Sequence, residues 1–231
     1  MFTLSPAETE AIYLSLKVAF WAVTISLPFG IGAAWCLARL SFPGKTFVDV
    51  ILHLPLVVPP IVVGYLLLLT FGRQGAVGSW LYDVFGISVA FSWQGAAIAA
   101  AVMAFPLMVR AIRLSIEAVD IRLEQAARTL GARPLDVFFN ITLPLTGSGI
   151  MVGIILAFAR ALGEFGATIT FVSTIPGETN TLPLTLYTLA QVPGYEAAAL
   201  RLVVISLVIA FVSMFASEII ARKVRKRITG Q

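Results

Sequence analysis

The sequence predicts an all-α membrane protein of about five transmembrane helices with one exposed polar segment, and three observations carry that prediction. Of its 231 residues 59% are hydrophobic and only 12% charged, with a mean hydropathy of +0.95, where soluble domains carry about a quarter charged residues. A globular core of this size cannot hide so much apolar surface, so lipid must solvate most of the side chains. Five apolar runs approach the ~20 residues that cross a bilayer. Lipid offers the backbone no partners, so such unbroken runs close their hydrogen bonds as helices rather than as barrel strands. Finally, the basic residues gather in alternate connections, as they do in multi-pass proteins.

The runs cover residues 12–40, 50–71, 87–112, 147–171 and 200–221 of a single transmembrane domain, 1–231. Before the first lie Glu8 and Glu10 with no basic stretch, and Arg39 closes it, so the N-terminus is expected to be retained rather than cleaved as a signal peptide. Cys36 is the single cysteine, which excludes an intrachain disulfide and a cysteine-based metal site. In the second run Pro55, Pro59, Pro60 and Gly64 interrupt the helical ladder, giving either a hinge that widens a vestibule or a structural bend filled by neighbours. His53, nearby, reads as an interfacial residue satisfied by local partners. Alanine and glycine crowd positions 95–104 of the third run. In the fourth, Gly149, Gly153, Ala157 and Ala161 repeat every fourth residue, a face on which helix backbones approach closely, within the chain or across a dimer.

Arg160 and Glu164 stand four apart in the same run, within ion-pairing reach. Charges inside a span are costly unless paired or hydrated, so the pair either faces a cavity or ties the structure near the outer interface. The connection 172–199 is rich in Pro, Gly and Thr. Its Leu182, Leu184, Leu186 and Leu189 suggest a short helix or re-entrant element, with a floppy loop as the alternative.

Orientation follows from the basic residues. Arg39 and Lys45 follow the first run; Arg110, Arg113, Arg122, Arg128 and Arg133 mark the end of the third; Arg222, Lys223, Arg225, Lys226 and Arg227 follow the fifth. They are twelve of sixteen. That side is expected to be cytoplasmic, with the C-terminus, and the N-terminus outside. The formal charge of +4 is then a topology signal and calls for no nucleic acid. The C-terminal cluster suits anionic headgroups, at about 1 kcal/mol per basic residue near such a surface, or docking to a partner.

The polar segment runs over residues 120–144. Leu123, Ala126, Ala127 and Leu130 share one face of a short helix, with Arg122, Gln125, Arg128 and Thr129 elsewhere. Asp120 sits at the N-cap and Gly131 just past the last periodic residue, where a left-handed conformation costs glycine least. Pro134 suits the first turn of a second short helix, and Pro144 that of the next long one.

Gln125-Ala126-Ala127, Gly131, Ile141, Leu143 and Pro144 resemble the "EAA, three residues, Gly, nine residues, Ile-x-Leu-Pro" loop of the membrane-spanning subunits of bacterial ABC importers. Gln125 stands at the family's Glu position, with Glu124 one place earlier. Ser41-Phe42-Pro43-Gly44-Lys45, His53-Leu54-Pro55-Leu56, Arg122 through Gly131 and Gly163-Glu164-Phe165-Gly166-Ala167 extend the likeness to molybdate permeases, of which sulfate permeases are close relatives. The resemblance implies a type I ABC importer permease in the bacterial inner membrane, with a cytoplasmic coupling helix formed by Glu124, Gln125, Ala126, Ala127, Arg128 and Gly131 and by Ile141, Leu143 and Pro144. It implies as partners a cytoplasmic ATP-binding subunit dimer, a periplasmic oxyanion-binding protein and a second copy of the chain. ATP-driven closure of the ATPase would push on this loop and switch a central cavity between inward-open and outward-open.

Pro43-Gly44-Lys45-Thr46 ends like a phosphate loop, but Arg39 stands where its first glycine belongs. The sequence offers no paired carboxylates in a cleft, no His or Cys cluster and no nucleophile with a base, so no catalytic activity, cofactor or metal is expected of this chain. The alternatives are a sulfate, tungstate or other oxyanion permease and, from another class, a passive channel or a non-transporting scaffold.

Overall fold

The computed structural model describes residues 4–229, and every regular element among them is helical. α1 (Pro6–Arg39) begins where the Ser5 hydroxyl accepts from the Glu8 amide at 3.3 Å and the Glu8 carboxylate accepts from the Ser5 N–H at 2.6 Å. This reciprocal cap satisfies two donors that a helix start leaves open. At 1.5 Å per residue α1 is about 50 Å long, enough to pass the whole hydrocarbon layer of ~30 Å.

The chain continues through α2 (Lys45–His53), a 3₁₀ turn (Leu54–Leu56), α3 (Pro60–Phe71), α4 (Ala76–Phe85) and α5 (Trp93–Glu117). The polar segment holds α6 (Ile121–Thr129), α7 (Pro134–Val137), a π turn (Phe138–Thr142) and α8 (Leu143–Leu145). α9 (Gly147–Leu162), α10 (Gly166–Val172), α11 (Leu182–Ala190) and α12 (Glu196–Thr229) complete it. Among the described residues three helices, Pro6–Arg39, Trp93–Glu117 and Glu196–Ala216, are long and apolar enough to cross a membrane. Two bent pairs pass that test only jointly: Lys45–Leu56 with Pro60–Phe71, bent by 107°, and Pro134–Leu145 with Gly147–Leu162, bent by 69°.

α5 is the axis of the bundle, packed between α1 and α9. Its Ala96, Ala97, Ala99, Ala100 and Ala104 are buried, because small side chains let backbones approach where lipid supplies no hydrophobic drive. The small-residue face of α9 meets α5 within the chain. A Cβ on Gly149 would fall on the Ser115 side chain, and one on Gly153 would lie 3.2 Å from the Met108 carbonyl oxygen. Gly149→Ala is therefore expected to force the two helices apart at a cost of roughly 1–3 kcal/mol. Thermal unfolding in detergent measures it; an unchanged Tm would mean that the contact yields without loss.

Several boundaries differ from the sequence expectation. The second run does not cross as one kinked helix. Pro55 lies in the 3₁₀ turn, Pro59 is the N-cap of α3 and Pro60 its first residue, where a missing N–H costs nothing. Gly64 interrupts nothing: it lies inside α3 against Ala167. The third helix starts at Trp93, because the Ser92 hydroxyl accepts from the Gly95 amide, and it runs on to Glu117. The fourth run breaks after Leu162 and resumes at Gly166. Pro144 does not open the long helix; it falls in α8, ahead of the bend.

The connection after α10 is ordered. The Thr179 hydroxyl donates to the Ser173 carbonyl at 2.9 Å and accepts from the Ile175 amide at 2.8 Å. α11 buries Leu182 and Leu184, and the Ser15 hydroxyl of α1 accepts from the Leu182 amide at 2.6 Å. α12 packs on α9 and α11 and leaves Leu207, Phe211 and Phe215 exposed. Of the expected C-terminal basic cluster, the side chains of Lys223, Arg225, Lys226 and Arg227 lie outside the described residues.

Candidate functional site

The polar segment forms an outward apolar ridge on a fixed base. Asp120 starts α6, its carboxylate accepting from the Arg122 amide at 2.9 Å. Gly131 ends it at φ +90°, with the Gly131 N–H on the Arg128 carbonyl and the Ala132 N–H on the Ala127 carbonyl, each at 3.0 Å. This is the paired closure in which glycine at C′ is favoured, since a Cβ is disfavoured at positive φ. Pro134 then takes the first position of α7.

On that frame Leu123 is 51% and Leu130 89% exposed, with Ala126 also exposed and Ala127 half-buried. Gln125, Arg122 and Arg128 surround them, exposed as well, and Leu135 and Phe139 extend the ridge. Periodicity brings the four apolar residues together, but the bundle leaves Leu123, Ala126 and Leu130 uncovered and covers Ala127 only in part. Further along, Ile141 and Leu143 are half-buried and Pro144 is exposed.

Glu124 points the other way. It is 5% exposed, and its Oε1 accepts from Arg39 Nε and from Thr142 Oγ1, both at 3.0 Å. Arg39 also donates through Nη2 to the Val119 carbonyl at 3.0 Å. One carboxylate thus ties the end of α1, the turn before α6 and the π turn before α9. Trp35 of α1 adds an edge contact to Phe138 at 5.8 Å between ring centroids. Glu124, expected within the coupling loop, lies buried beneath the exposed ridge. The sequence reading missed Arg39 and Thr142 in this role, because a basic residue after a span reads first as a topology signal.

A second group lies at the far end of α9, with Arg160 in its last turn and Glu164 just after it. Arg160 Nη1 and Glu164 Oε2 are 2.6 Å apart, and Glu164, 3% exposed, also accepts from the Ala167 amide at 2.9 Å. The acid, in the break after α9, therefore pairs back to Arg160 in the last turn of that helix and caps α10. There the two interrupted helices meet: a Cβ on Gly166 would lie 2.8 Å from Pro60 Cβ, and α10 packs along α3. Pro60 thus abuts Gly166, the first residue after the 163–165 break. His53 is held by its own turn, with Nδ1 2.8 Å from the Asp49 carbonyl oxygen and 3.1 Å from the Asp49 carboxylate.

The comparisons agree with this architecture. A family model described as "Binding-protein-dependent transport system inner membrane component" matches residues 26–226. The Molybdenum transport system permease protein ModB of Escherichia coli K12 is 63% identical over 224 residues, covering 97% of this chain and 98% of that protein. Its namesake in Haemophilus influenzae is 52% identical, covering 96% of each. A crystal structure of a bacterial alginate ABC transporter, in complex with an alginate pentasaccharide-bound periplasmic protein, contains a chain of the same fold. It superimposes with a TM-score of 0.76 at 17% identity, over 96% of this chain and 81% of that one. With a family model spanning most of its length and relatives aligned nearly end to end, this chain belongs to the inner-membrane components of binding-protein-dependent transport systems.

Proposed function

We propose that the chain is the membrane-spanning subunit of an ATP-driven molybdate importer and works as a homodimer with a cytoplasmic ATPase dimer and a periplasmic oxyanion-binding protein. Counting each bent helix pair as one span gives five, and with the basic connections taken as cytoplasmic the N-terminus lies outside and the polar segment inside. The observation that carries the reading is the exposed ridge of Leu123, Ala126 and Leu130 on a segment anchored through Glu124 to α1 and the base of α9. An apolar ridge rimmed by Arg122, Gln125 and Arg128 fits the core-and-rim composition of a protein interface. The anchor carries a push on the ridge into the long helices. Molybdate is favoured by the high identity to relatives named for molybdenum transport.

ATP-dependent uptake in proteoliposomes holding all three components tests the reading, with excess sulfate as competitor. Uptake of molybdate that needs ATP and resists sulfate is expected. Sulfate uptake would keep the machine and change its cargo, and uptake without ATP would overturn it. Leu130→Glu places an unpaired charge in the ATPase contact at about 2–5 kcal/mol, so the ATPase is expected to bind at least ~30-fold more weakly. Undiminished binding of the variant would remove the ridge from the interface.

A further inference from the structure

We infer that Arg110 forms a way-station for a tetrahedral oxyanion on the inner half of the transport path. The inference deepens the importer reading and rests on it for the identity of the anion. Among the described residues, the spanning helices carry five arginines. Arg39 lies 3.0 Å from Glu124, Arg113 2.7 Å from Asp49 and 2.8 Å from Glu117, Arg160 2.6 Å from Glu164 and Arg201 3.0 Å from Glu8. Arg110 alone among these has neither a carboxylate nor a hydrogen-bond partner, and its side chain is exposed. It stands two turns before the end of α5, ~10 Å along the axis. A charge there needs water or a counter-ion, because hydrocarbon offers neither.

Its surroundings supply room and donors. Arg110 projects from an exposed strip of α5 that includes Leu114, between α2 and α9. On the α9 side it lines a groove of about 490 Å³ with Ser115, Ser148 and Gly149, ample for a tetrahedral anion and several waters at ~30 Å³ per water. Arg110 is the sole charge there, and Ser115 and Ser148 bring two hydroxyls to a lining that is otherwise apolar. On the α2 side a groove of about 380 Å³ holds Asp49, His53, Arg113 and Glu117. There the two carboxylates share Arg113, and the leftover negative charge reduces the field that Arg110 presents.

That balance suits passage. A guanidinium offers a fork of donors matched to oxyanion geometry, while the nearby carboxylates prevent a trap. An anion in transit needs a site strong enough to enter and weak enough to leave. The same chemistry would bind a lipid phosphate, so the test must separate the two sources.

The test uses the assembled permease–ATPase complex in phosphate-free detergent. Its readouts are the Tm shift produced by millimolar molybdate and, in proteoliposomes, molybdate taken up per ATP hydrolysed. Wild type is expected to be stabilised by molybdate but not by chloride. Arg110→Gln should lose that shift and fall at least tenfold in uptake per ATP, and Arg110→Lys should recover part of both. If Arg110→Gln keeps the shift and the ratio, the proposal is overturned. It is equally overturned if the variant loses only stabilisation by phosphatidylglycerol vesicles, which would make Arg110 a lipid anchor. A molybdate shift that needs Arg110 in a complex with no ATP-driven uptake would leave the site standing and remove the importer reading.

Discussion

Glu124→Ala is expected to lower the stability of the folded chain by about 3–5 kcal/mol, because it leaves a buried guanidinium without its counter-charge. The Arg39 side chain is 11% exposed and its Nε has Glu124 as its acceptor. Only the Val119 carbonyl would remain to it, and Thr142, buried, would lose the acceptor of its hydroxyl. For a chain of this size the loss corresponds to a fall in Tm of roughly 6–20 °C. Glu124→Gln keeps an acceptor oxygen and should cost less. The more informative readout is functional. Because Glu124 joins the ridge to α1 and the base of α9, the Gln variant should hydrolyse ATP while moving less molybdate per ATP than wild type. Equal ratios would show that the push travels by another route.

The second large effect is expected at Glu164. Its carboxylate holds Arg160 at 2.6 Å and caps α10 through the Ala167 amide. Glu164→Ala removes both, again at roughly 3–5 kcal/mol, whereas an ordinary cap alone contributes ~1 kcal/mol. The double variant Arg160→Met with Glu164→Met separates the two readings of the pair. Buried ion pairs exchanged together for apolar residues are often neutral, so the Tm should recover relative to either single change. If the pair only ties the structure, uptake recovers with it; if it faces the path, uptake stays low in a stable protein. Strict additivity of the two single changes would show that the groups do not interact.

What could be read from the sequence was mostly local. Asp120, Gly131 and Pro134 mark helix ends through bonds spanning only a few residues, and the structure uses each of them so. The apolar face of α6 was legible from spacing, but whether it faced inward was not, because that depends on what else covers it. Glu124 is the sharper case. Its partners lie 85 and 18 residues away, and nothing in its neighbourhood distinguishes it from the exposed Gln125. α4 was passed over because a helix of ten residues is shorter than a span; Gly86 at φ +68° was its available stop signal. The break after Leu162 is hidden because the run 147–171 contains no proline to mark it.

The contacts at the far end of α1 have a bearing on how the protein is made. Glu8 is 1% exposed and bonded to Arg201, and Ser15 accepts from Leu182, so the first helix finds its partners 193 and 167 residues later. At about 5–20 residues per second the ribosome needs roughly 10–40 s to deliver them. Throughout that interval the Glu8 carboxylate has only the Ser5 cap and water. The first helix can pack on α5 well before then, but its N-terminal end is among the last contacts to close, and a nascent chain halted before Arg201 carries Glu8 without its arginine partner.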